Sequence, residues 1–472
     1  MAGGNELTHN VIGMWGVVFY SVSVISPAFT FTVGSVASIV YAGRSAPLAF
    51  LIAGITTFSA VIALYIFSKY ISNSGGYFKF VEAATQRASI SKTVGLWYLS
   101  TILGVIIMGG GIVAWYVNST LNTLFSISIP PYFLILLSFA VPVLFFTVGY
   151  FRIRFAARTA ITIGVVQLTV FSLFSIAFVL RTPYNGLLYF NITSSSNGLH
   201  GFFLAMVLGA FFSYGGYGSV VSLGEEVKLP RRIMKKAIVY ALAIMVAFET
   251  FAIYSLDAAA GPNIYLLTNS IAPGLYISKL MFGTAPGFIV FIVGLIGIIF
   301  SLVLSGNTGA RYAFALARDG LLPTSLARVH ARYKSPYVAV LWIFIIALIG
   351  DVLTESILIE FFGVSNGLFY SWAIWGTAVM LFSILISITT NGSLPFFIRK
   401  IRKKLNVPAH IIAPSISSVV MAIALYFSLS YLKSPMTSVY WVALSMILVN
   451  AFIIYLRRDK TRMDKLEDLV SE

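Results

Sequence analysis

Two short stretches of this 472-residue chain have residue types and spacing that suit the binding of a small polar molecule. Ser26-Pro27 lies within an apolar run, and Ser followed by Pro is a typical helix start, with Ser as the N-cap. Gly215, Gly216 and Gly218 lie within four residues of another run, and each glycine destabilises a helix by about 1 kcal/mol relative to alanine. Both stretches predict a helix that stops and restarts, which frees backbone N–H and carbonyl groups for a ligand. The alternatives are a proline kink and a close helix contact through glycine.

Acidic and hydroxyl side chains inside apolar runs are the other candidates for chemistry. Glu249 lies in the middle of a run, and no Lys or Arg lies in the interior of any run to pair with it, since Lys69, Arg158 and Lys236 fall within two residues of a run end. It predicts either a proton site or amine partner, or a neutral carboxyl bonded to a neighbouring helix. Asp257 and Glu360 lie nearer the run ends, where we expect them to reach water. Ser301 and Ser305 are one helical turn apart, which suits either sodium ligation with free carbonyls or simple helix packing.

The composition excludes several kinds of catalytic site. The chain has no Cys, which removes thiolate metal sites, disulfides and cysteine nucleophiles. Its four His residues and its acids are scattered, and no nucleophile–base pair lies within the apolar runs. We therefore expect no enzyme activity and no cofactor.

Most of the chain has the composition of a membrane-embedded protein. It is 59% apolar and 10% charged, with a mean hydropathy of +0.93, whereas soluble domains are about 45–50% apolar and about 25% charged. A membrane-spanning helix needs about 20 predominantly apolar residues. The sequence predicts an all-α integral membrane protein with 12 transmembrane helices, in the runs 11–41, 46–69, 93–120, 131–150, 157–180, 201–223, 236–258, 286–309, 336–353, 357–388, 411–432 and 436–456.

The basic residues predict the orientation. Of the 31 Lys and Arg residues, 27 fall in loops on the side of the N-terminus and four in loops on the other side. Loops rich in Lys and Arg face the cytoplasm, so we expect a multi-pass protein of the cell membrane with cytoplasmic N- and C-termini. The net charge of +16 is then explained by topology and lipid, without a nucleic-acid partner.

The two interrupted runs indicate an internal repeat. They are the first and the sixth, which are equivalent if residues 11–180 and 201–388 form two five-helix halves of opposite orientation. We expect one transmembrane domain over 1–456, with peripheral helices at 411–456, and a short cytoplasmic tail over 457–472. Paired broken helices favour a transporter, whose helix ends bind a carboxylate and an ammonium without charged side chains. A channel would need a continuous polar path, and a sensor would usually append a soluble domain.

Three loop motifs resemble those of the amino acid–polyamine–organocation (APC) superfamily of permeases. Residues 74–80 (SGGYFKF) are similar to the family's Gly-Gly-x-Tyr signature. Residues 212–217 and 224–232 look like its broken helix six followed by Glu-Glu-Val-x-x-Pro, and 317–323 (ARDGLLP) look like its Arg-Asp-Gly-x-x-Pro loop. The resemblance extends over residues 10–456.

The resemblance implies a LeuT-type fold, with a five-plus-five inverted repeat, discontinuous helices 1 and 6 and two peripheral helices, in a secondary transporter of amino acids or related amines. It places the substrate between helices 1, 3, 6, 8 and 10, with the carboxylate near the restart of helix 1, the amine near the carbonyls of both breaks, and Phe212 closing over it. Alternating access would rock the bundle of helices 1, 2, 6 and 7 against its surround. The implied substrate-binding residues are Ser21, Val22, Ser23, Val24, Ser26, Ala28, Phe29, Phe211, Phe212, Ser213, Tyr214, Gly215 and Gly216.

Three departures from the family leave the substrate and the coupling ion open. Ser and Pro replace the glycine-rich break of helix one, a replacement shared with a branch that includes polyamine importers. Gln167 stands where proton-coupled members can carry Lys, and Gly218 stands where some exchangers carry an acid. Coupling to a proton or to sodium therefore has the candidates Gln167, Glu249, Ser301 and Ser305. We expect ion-coupled uptake of an amino acid; a polyamine or other organic amine permease and an amino-acid exchanger are the alternatives, and the oligomeric state stays open.

Charged residues after the sixth run predict a closure on the cytoplasmic side. Glu225 and Glu226 lie close in sequence to Lys228 and Arg231. We interpret Glu225, Glu226 and Arg231 as a cytoplasmic gate or a structural ion pair, and not as substrate contacts.

Overall fold

The computed structural model describes residues 11–150, 153–268, 270, 272–458, 460 and 463–470. These residues form helices and connecting segments, with two isolated β-bridges and no extended strand among them. The principal helices are α1 Met14–Ile25, α2 27–42, α3 Ala46–Tyr70, α4 Gly76–Thr85, α5 Ala88–Phe125, α6 Pro131–Tyr150, α7 Ile153–Arg181, α8 Gly198–Phe211, α9 Pro230–Ala260, α10 Pro273–Phe282, α11 Thr284–Arg318, α12 Tyr337–Phe362, α13 Val364–Lys400, α14 Pro408–Ser430 and α15 Met436–Leu456.

Eleven helical spans in the described residues are long and apolar enough to cross a membrane. α1 and α2 together form one of them, and the others are α3, α5, α6, α7, α9, α11, α12, α13, α14 and α15. Each span coincides with one predicted apolar run. The chain is therefore an all-helical, multi-pass membrane protein.

The sixth predicted run, 201–223, is not one continuous helix. It begins in α8 and continues through turn residues 214–218 into a 3₁₀ turn at Ser219–Leu223. Gly216 has a φ of +98°, a conformation that residues with a side chain rarely adopt. The glycines interrupt the helix as predicted, and the second half of the run is a 3₁₀ turn.

Ser26 separates α1 from α2. Its φ of +67° is uncommon for a residue other than glycine, and its hydroxyl accepts a hydrogen bond from the Phe29 N–H at 3.2 Å. Pro27 is the first residue of α2, where its missing N–H costs no intrahelical bond. The predicted N-cap and helix restart are confirmed. α2 then contains a π-helical turn at Thr30–Gly34.

The boundary between the ninth and tenth runs differs from the prediction of 354–356. α12 continues to Phe362, and α13 begins after Gly363, whose φ is +76°. Glu355 interrupts the apolar pattern of the sequence, but its side chain is buried against neighbouring helices and the helix continues through it. As a result, Asp351 and Glu355 both lie inside a membrane-spanning helix.

Contacts between distant parts of the chain define two faces. On the face that we call the N-terminal face, Ile12 forms a parallel bridge with Val227. On the far face, Gly43 forms an antiparallel bridge with Ser195. Between the faces, α5 packs along α13 and α3 packs along α9, whereas α14 and α15 lie at the periphery with most of their side chains at least partly exposed. The central helices therefore surround the two breaks.

Candidate functional site

The two breaks lie against each other. A Cβ on Gly216 would lie 2.6 Å from Val24 Cγ1, so only glycine allows the turn after α8 to approach the end of α1 this closely. Ser21 Oγ donates a hydrogen bond to the Tyr217 carbonyl at 3.4 Å. The interruptions in the first and sixth runs are therefore in direct contact.

The N–H groups at the start of α2 already have acceptors within the protein. Phe29 N donates to Ser26 Oγ at 3.2 Å, Ala28 N donates to Gln167 Oε1 at 3.1 Å, and Thr30 N donates to the Ser26 carbonyl at 3.3 Å. A ligand carboxylate at this helix end has to replace one of these acceptors.

Gln167 caps α2 from the neighbouring helix α7. Its side chain is buried, and Oε1 accepts from both the Ala28 N–H and, at 3.4 Å, the Ser26 hydroxyl. Its Nε2 has no hydrogen-bond partner among the described residues. A Cβ on Gly297 would lie 2.7 Å from Gln167 Cδ, so the amide packs directly on the backbone of α11 at this glycine. The unpartnered amide N–H is a donor that a carboxylate oxygen could accept.

The carbonyl end of α1 is bonded to α11. Ser301 Oγ donates to the Val24 carbonyl at 2.6 Å, and Ser305 Oγ donates to the Ser301 carbonyl at 2.9 Å. A sodium ion held by Ser301 and Val24 would require this hydrogen bond to open, because a hydroxyl proton lies between the two oxygens. No group of three His, Cys, Asp or Glu side chains in the described ranges is arranged to hold a metal ion.

A cavity of about 160 Å³ lies beside the two breaks. The walls include side chains and backbone from α5, α11 and α13, and no charged side chain from the described part of the chain lines it. The apolar part of the wall includes Ile112, Leu302 and Met380. The predicted substrate residues that line the cavity are Val24, Phe29, Phe211, Phe212, Gly215 and Gly216.

The other predicted substrate residues lie behind the cavity wall. Ser23 Oγ donates to the Ala160 carbonyl of α7 at 2.9 Å, and Tyr214 OH donates to the Phe50 carbonyl of α3 at 3.0 Å. Ser213 Oγ is buried and has no hydrogen-bond partner among the described residues. The hydrogen bonds of Ser23 and Tyr214 connect the breaks to neighbouring helices. The predicted substrate residues that do not line the cavity are Ser21, Val22, Ser23, Ser26, Ala28, Ser213 and Tyr214.

Four aromatic rings, which we call the aromatic lid, lie between the cavity and the far face. The Phe29 ring centroid is 5.4 Å from that of Phe212 and 6.3 Å from that of Trp372, which is 6.0 Å from that of Trp115. A Cβ on Gly376 would lie 3.1 Å from the Phe212 ring, so this ring rests directly on the backbone of α13. The lid separates the cavity from the far face.

Tyrosines line the opposite end of the cavity. The ring centroids of Tyr77 and Tyr98 are 4.7 Å apart, and the hydroxyl groups of Tyr217 and Ser387 are 3.2 Å apart. Tyr77 belongs to the 74–80 motif, so this motif contributes directly to the cavity. Sequence analysis missed Tyr98, Ser387 and Trp372, because aromatic and hydroxyl residues within unbroken helices have no pattern that separates cavity lining from helix packing.

Glu249, on α9, is buried and contacts α2. Thr30 Oγ1 donates to Glu249 Oε1 at 2.8 Å, and Oε2 has no hydrogen-bond partner among the described residues. The expectation that Asp257 reaches water is wrong, because its side chain is fully buried near the turn where Thr182 Oγ1 donates to the Ala258 carbonyl. Glu249 is therefore the buried acid that touches one of the two breaks.

The predicted gate residues are paired with arginines of α11. Arg311 Nε lies 2.5 Å from Glu226 Oε2, and Arg318 NH2 lies 2.7 Å from Glu225 Oε1. The predicted eighth run ends at residue 309, but α11 continues to Arg318 and buries Arg311, whose guanidinium also donates to the Asn307 carbonyl. Burial would raise the pKa of Glu225, but the hydrogen bonds and charge of Arg318 outweigh it and hold that pKa below its ordinary value.

The segment before α9 joins the start of the described chain to these ion pairs. The N–H groups of Val11 and Ile12 donate to the Glu226 carbonyl at 2.9 and 3.1 Å, and Lys228 N donates to the Ile12 carbonyl at 2.9 Å. Arg231, the third predicted gate residue, is half-buried in the first turn of α9. The charged closure on the N-terminal face thus includes residues from three separate parts of the chain.

A second ion cluster lies on the same face. Lys79 Nζ is 2.8 Å from Glu82 Oε2, 2.9 Å from Asp319 Oδ2 and 2.7 Å from Asp464 Oδ2. Lys79 was expected in a loop, but it is fully buried in α4 because the three carboxylates surround its ammonium group. Burial lowers the pKa of Lys79, but the Asp319 and Glu82 carboxylates outweigh it and raise that pKa; burial raises the pKa of Glu82 and of Asp319.

The architecture and the site together define a class. The chain is a multi-pass helical membrane protein, and two interrupted helices border an uncharged cavity in its described part. These features are typical of a membrane permease. Comparison with known families is consistent with that class: the model described as "Amino acid permease" matches residues 16–466. The chain belongs to the amino acid permease family, whose members are transporters and not enzymes.

Individual relatives match shorter stretches. An uncharacterized transporter of Mycobacterium tuberculosis is 33% identical over 133 residues, which cover 27% of this chain and 28% of the relative. The branched-chain amino acid permease of Bacillus subtilis is 31% identical over 168 residues, or 33% of each chain. The human large neutral amino acids transporter small subunit 2 is 29% identical over 181 residues, covering 38% of this chain and 32% of the relative. Each match therefore covers about a third of the relative's length or less.

Proposed function

We propose that this chain carries a neutral amino acid with an apolar side chain across the cell membrane by alternating access. The observation that carries the proposal is the cavity beside both breaks, which has no charged lining among the described residues. A net-neutral zwitterion suits such a site, because helix ends supply partial charges for its carboxylate and its ammonium group. Ile112, Leu302 and Met380 would contact the substrate side chain.

The carboxylate is expected at the start of α2. Rotation of the Ser26 side chain would free the Phe29 N–H, and Gln167 Nε2 would supply a second donor. This exchange of acceptors keeps the Phe29 N–H bonded both with and without substrate, and the carboxylate would give Gln167 Nε2 the acceptor that it lacks among the described residues. The ammonium is expected near the Val24 carbonyl and the carbonyls that end α8.

We infer a LeuT-type inverted repeat with twelve crossings for the fold. The breaks in the first and sixth runs support it, and so do the packing of α3 on α9 and of α5 on α11, since these are the helix pairs that such a repeat makes equivalent. The moving bundle would consist of α1, α2, α3, α8 and α9. The aromatic lid and the ion pairs of Glu225 and Glu226 would open in alternation, with the N-terminal face in the cytoplasm.

Coupling to protons is the form of energy input that the contacts favour. Ser301 and Ser305, the sodium candidates, both donate their hydroxyl protons to backbone carbonyls. Glu249 instead offers a buried carboxyl that accepts from Thr30 at the beginning of the π-helical turn of α2. A change in its protonation would alter the contact that positions α2.

An organic amine without a carboxylate is the second candidate substrate. The specific observation in its favour is that the N–H groups at the start of α2 are capped by Ser26 and Gln167. A polyamine would lack an acidic partner among the described cavity-lining residues. An exchange mode would use the same cavity. It would differ in that the protein without bound substrate would not convert between its two open states.

The test is uptake into proteoliposomes of radiolabelled leucine, phenylalanine, arginine, glutamate and putrescine, with proton and sodium gradients imposed separately. We expect saturable uptake of leucine or phenylalanine that responds to the proton gradient, and none of arginine or glutamate. Uptake of putrescine alone would favour the second candidate. Absence of saturable uptake of every compound, by protein shown to be folded, would overturn both candidates.

A further inference from the structure

A pair of acids outside the cavity is unexplained by the proposed substrate site. Asp351 and Glu355 are one turn apart in α12, with side chains 0% and 3% exposed. None of their four oxygens has a hydrogen-bond partner in ordinary geometry and neither side chain has a salt-bridge partner among the described residues, although the Ser138 hydroxyl and the Asp351 carboxyl lie close enough to Glu355 to interact with it. An ionised carboxylate in a membrane-spanning helix without such a partner costs several kcal/mol, so this pair needs a physical explanation.

The two carboxyls face a glycine backbone on α5. A Cβ on Gly110 would lie 2.6 Å from Asp351 Oδ2, and a Cβ on Gly111 would lie 3.2 Å from Glu355 Oε1. The Leu368 carbonyl of α13 lies 2.8 Å from the same Gly111 position. The bare backbone at Gly110 and Gly111 is what allows both acids to fit between α5, α12 and α13.

A backbone carbonyl is available to accept a hydrogen bond from a protonated carboxyl of the pair. The Ser138 carbonyl of α6 lies 2.5 Å from the Gly110 Cβ position, next to the Asp351 carboxyl. In a continuous helix the residue four positions later would donate to it, but that residue is Pro142, which has no N–H. The Asp351 carboxyl and the Ser138 carbonyl therefore lie against the same Gly110 position, and Pro142 cannot give that carbonyl the donor that a continuous helix would supply.

The neighbouring helices contribute no compensating charge. α5 presents glycines to the pair, α6 presents Ser138, and α13 presents the Leu368 carbonyl. Arg311 of α11 is bonded to Glu226 at the N-terminal face, and residues 324–327 (TSLA) carry no charge. The titratable group in contact with each carboxyl is the other carboxyl. Two ionised carboxylates in such contact repel each other strongly, so the pair is stable only when it shares at least one proton.

The arrangement suits a proton and does not suit a metal ion. Among the described residues, no group of three His, Cys, Asp or Glu side chains is arranged to hold a metal ion, and this site supplies two carboxyls. The Asp351 oxygens and the Ser138 carbonyl lie within 2.9 Å of the position that a Cβ on Gly110 would take, so they pack closely against the backbone of α5. A proton needs only a donor and an acceptor, and the carboxyl pair and the free carbonyl provide them.

The pair also lies directly behind the aromatic lid. The Leu368 carbonyl touches the glycines that hold the acids, and Phe369 and Trp372 on the same helix contact Trp115 with ring centroids 5.1 and 6.0 Å away. Ionisation of the pair would place charge where no cation or well-placed donor among the described residues compensates it, and this cost favours a separation of α12 from α5 beside the lid.

We propose that Asp351 and Glu355 form a buried proton-binding site whose occupancy couples movement of the aromatic lid to the proton gradient. The coupling role rests on the proposed transport function, whereas proton binding does not. The two parts therefore require separate measurements.

Proton binding is tested by infrared spectroscopy of the full chain in proteoliposomes. The C=O stretch of a protonated carboxyl lies apart from the bands of carboxylates and amides, so we expect such a band at neutral pH in the wild type. It should lose intensity in Asp351→Asn and in Glu355→Gln and be absent from the double variant, apart from contributions of the other buried acids that Glu249→Gln and Asp257→Asn remove. A band that none of the pair variants changes would overturn the proposal.

Coupling is tested by uptake in the same vesicles. We expect the proton-driven accumulation ratio of the substrate to fall to one in Asp351→Asn and Glu355→Gln, while exchange of labelled for unlabelled substrate continues. Unchanged proton-driven accumulation in both variants would refute the coupling role. If the wild type transports none of the compounds, the proposed function fails, and the infrared result still decides whether the pair binds a proton.

Discussion

The Ser301 hydroxyl donates a 2.6 Å hydrogen bond to the Val24 carbonyl and so joins α11 to the last turn of α1, beside the cavity. This single bond crosses from one proposed repeat to the other. It fixes the carbonyl end of the first broken helix, and a sodium ion between these two oxygens would have to displace it.

Ser301→Ala should therefore destabilise the protein, because the buried Val24 carbonyl loses its donor. We expect a loss of about 1–3 kcal/mol in the free energy of unfolding and a lower thermal unfolding temperature in detergent. Ser305→Ala is the matched control, since Ser305 donates only to a carbonyl of its own helix. Equal destabilisation by both variants would contradict a specific role for the bond between α11 and α1.

Phe212→Ala should weaken substrate binding by opening the aromatic lid. Phe212 lines the cavity and packs on Phe29, so its removal takes away a contact that we propose for the substrate and disrupts the aromatic lid. We expect the apparent affinity in uptake or binding assays to fall by about tenfold or more, equivalent to about 1.4 kcal/mol. Trp441→Ala, on an exposed part of α15, should leave affinity unchanged. Similar losses in the two variants would place the substrate elsewhere.

Gly216→Ala should damage the junction between the two breaks. The added Cβ would meet Val24 at a φ of +98°, so we expect destabilisation of about 1–3 kcal/mol. Gly392 lies in α13 with nothing within 4 Å of a new Cβ, so Gly392→Ala should be neutral or slightly stabilising. Thermal unfolding of the two variants measures the difference, and indistinguishable values would show that the junction tolerates a side chain.

Glu225→Gln should lower stability at neutral pH and have no effect in acid. Arg318 holds the pKa of Glu225 below its ordinary value. The stability that this pair contributes is therefore fully present above the carboxyl's unfolded pKa, and it is lost as the pH falls through the lower folded pKa. Unfolding temperatures measured across this range test the sign. Glu360→Gln, an exposed glutamate of α12, is the control and should track the wild type throughout.

Asp464→Asn should loosen the C-terminal segment without unfolding the membrane helices. Asp464 bonds to Lys79 through its carboxylate and to Glu82 through its backbone N–H, whereas Lys79 keeps Glu82 and Asp319 in the variant. We expect faster hydrogen exchange over residues 463–470 and a nearly unchanged unfolding temperature. Glu467→Gln, an exposed position in the same segment, should not alter exchange.

The sequence was informative wherever the physical signal is local. Lipid solvation demands long apolar helices, so the runs predict the spans, and Ser26-Pro27 predicts the cap that the structure contains. The glycines near Gly216 predict the second interruption for the same reason, since a missing side chain acts on its own backbone.

Burial could not be predicted from the sequence where it depends on residues far along the chain. Arg311 and Lys79 look like loop cations in sequence, because the carboxylates that bury them lie far along the chain. Glu355 suggests a loop for the same reason, and only the glycines of α5 make room for it and for Asp351, which falls within the predicted run 336–353. The hydrogen bond from Ala28 to Gln167 could not be foreseen either, because the sequence identifies free N–H groups at a helix start but not the acceptors that other helices bring.

The Lys79 cluster has a consequence for the order in which the protein is made. Its partners lie three, 240 and 385 residues downstream of Lys79. During synthesis the ammonium group would first be held by Glu82 alone, then by Asp319 once α11 has been inserted, and by Asp464 only when almost the whole described chain has left the ribosome. The N-terminal face is therefore assembled in stages, and its last ion pair forms only after the helices between Lys79 and Asp464 have been made.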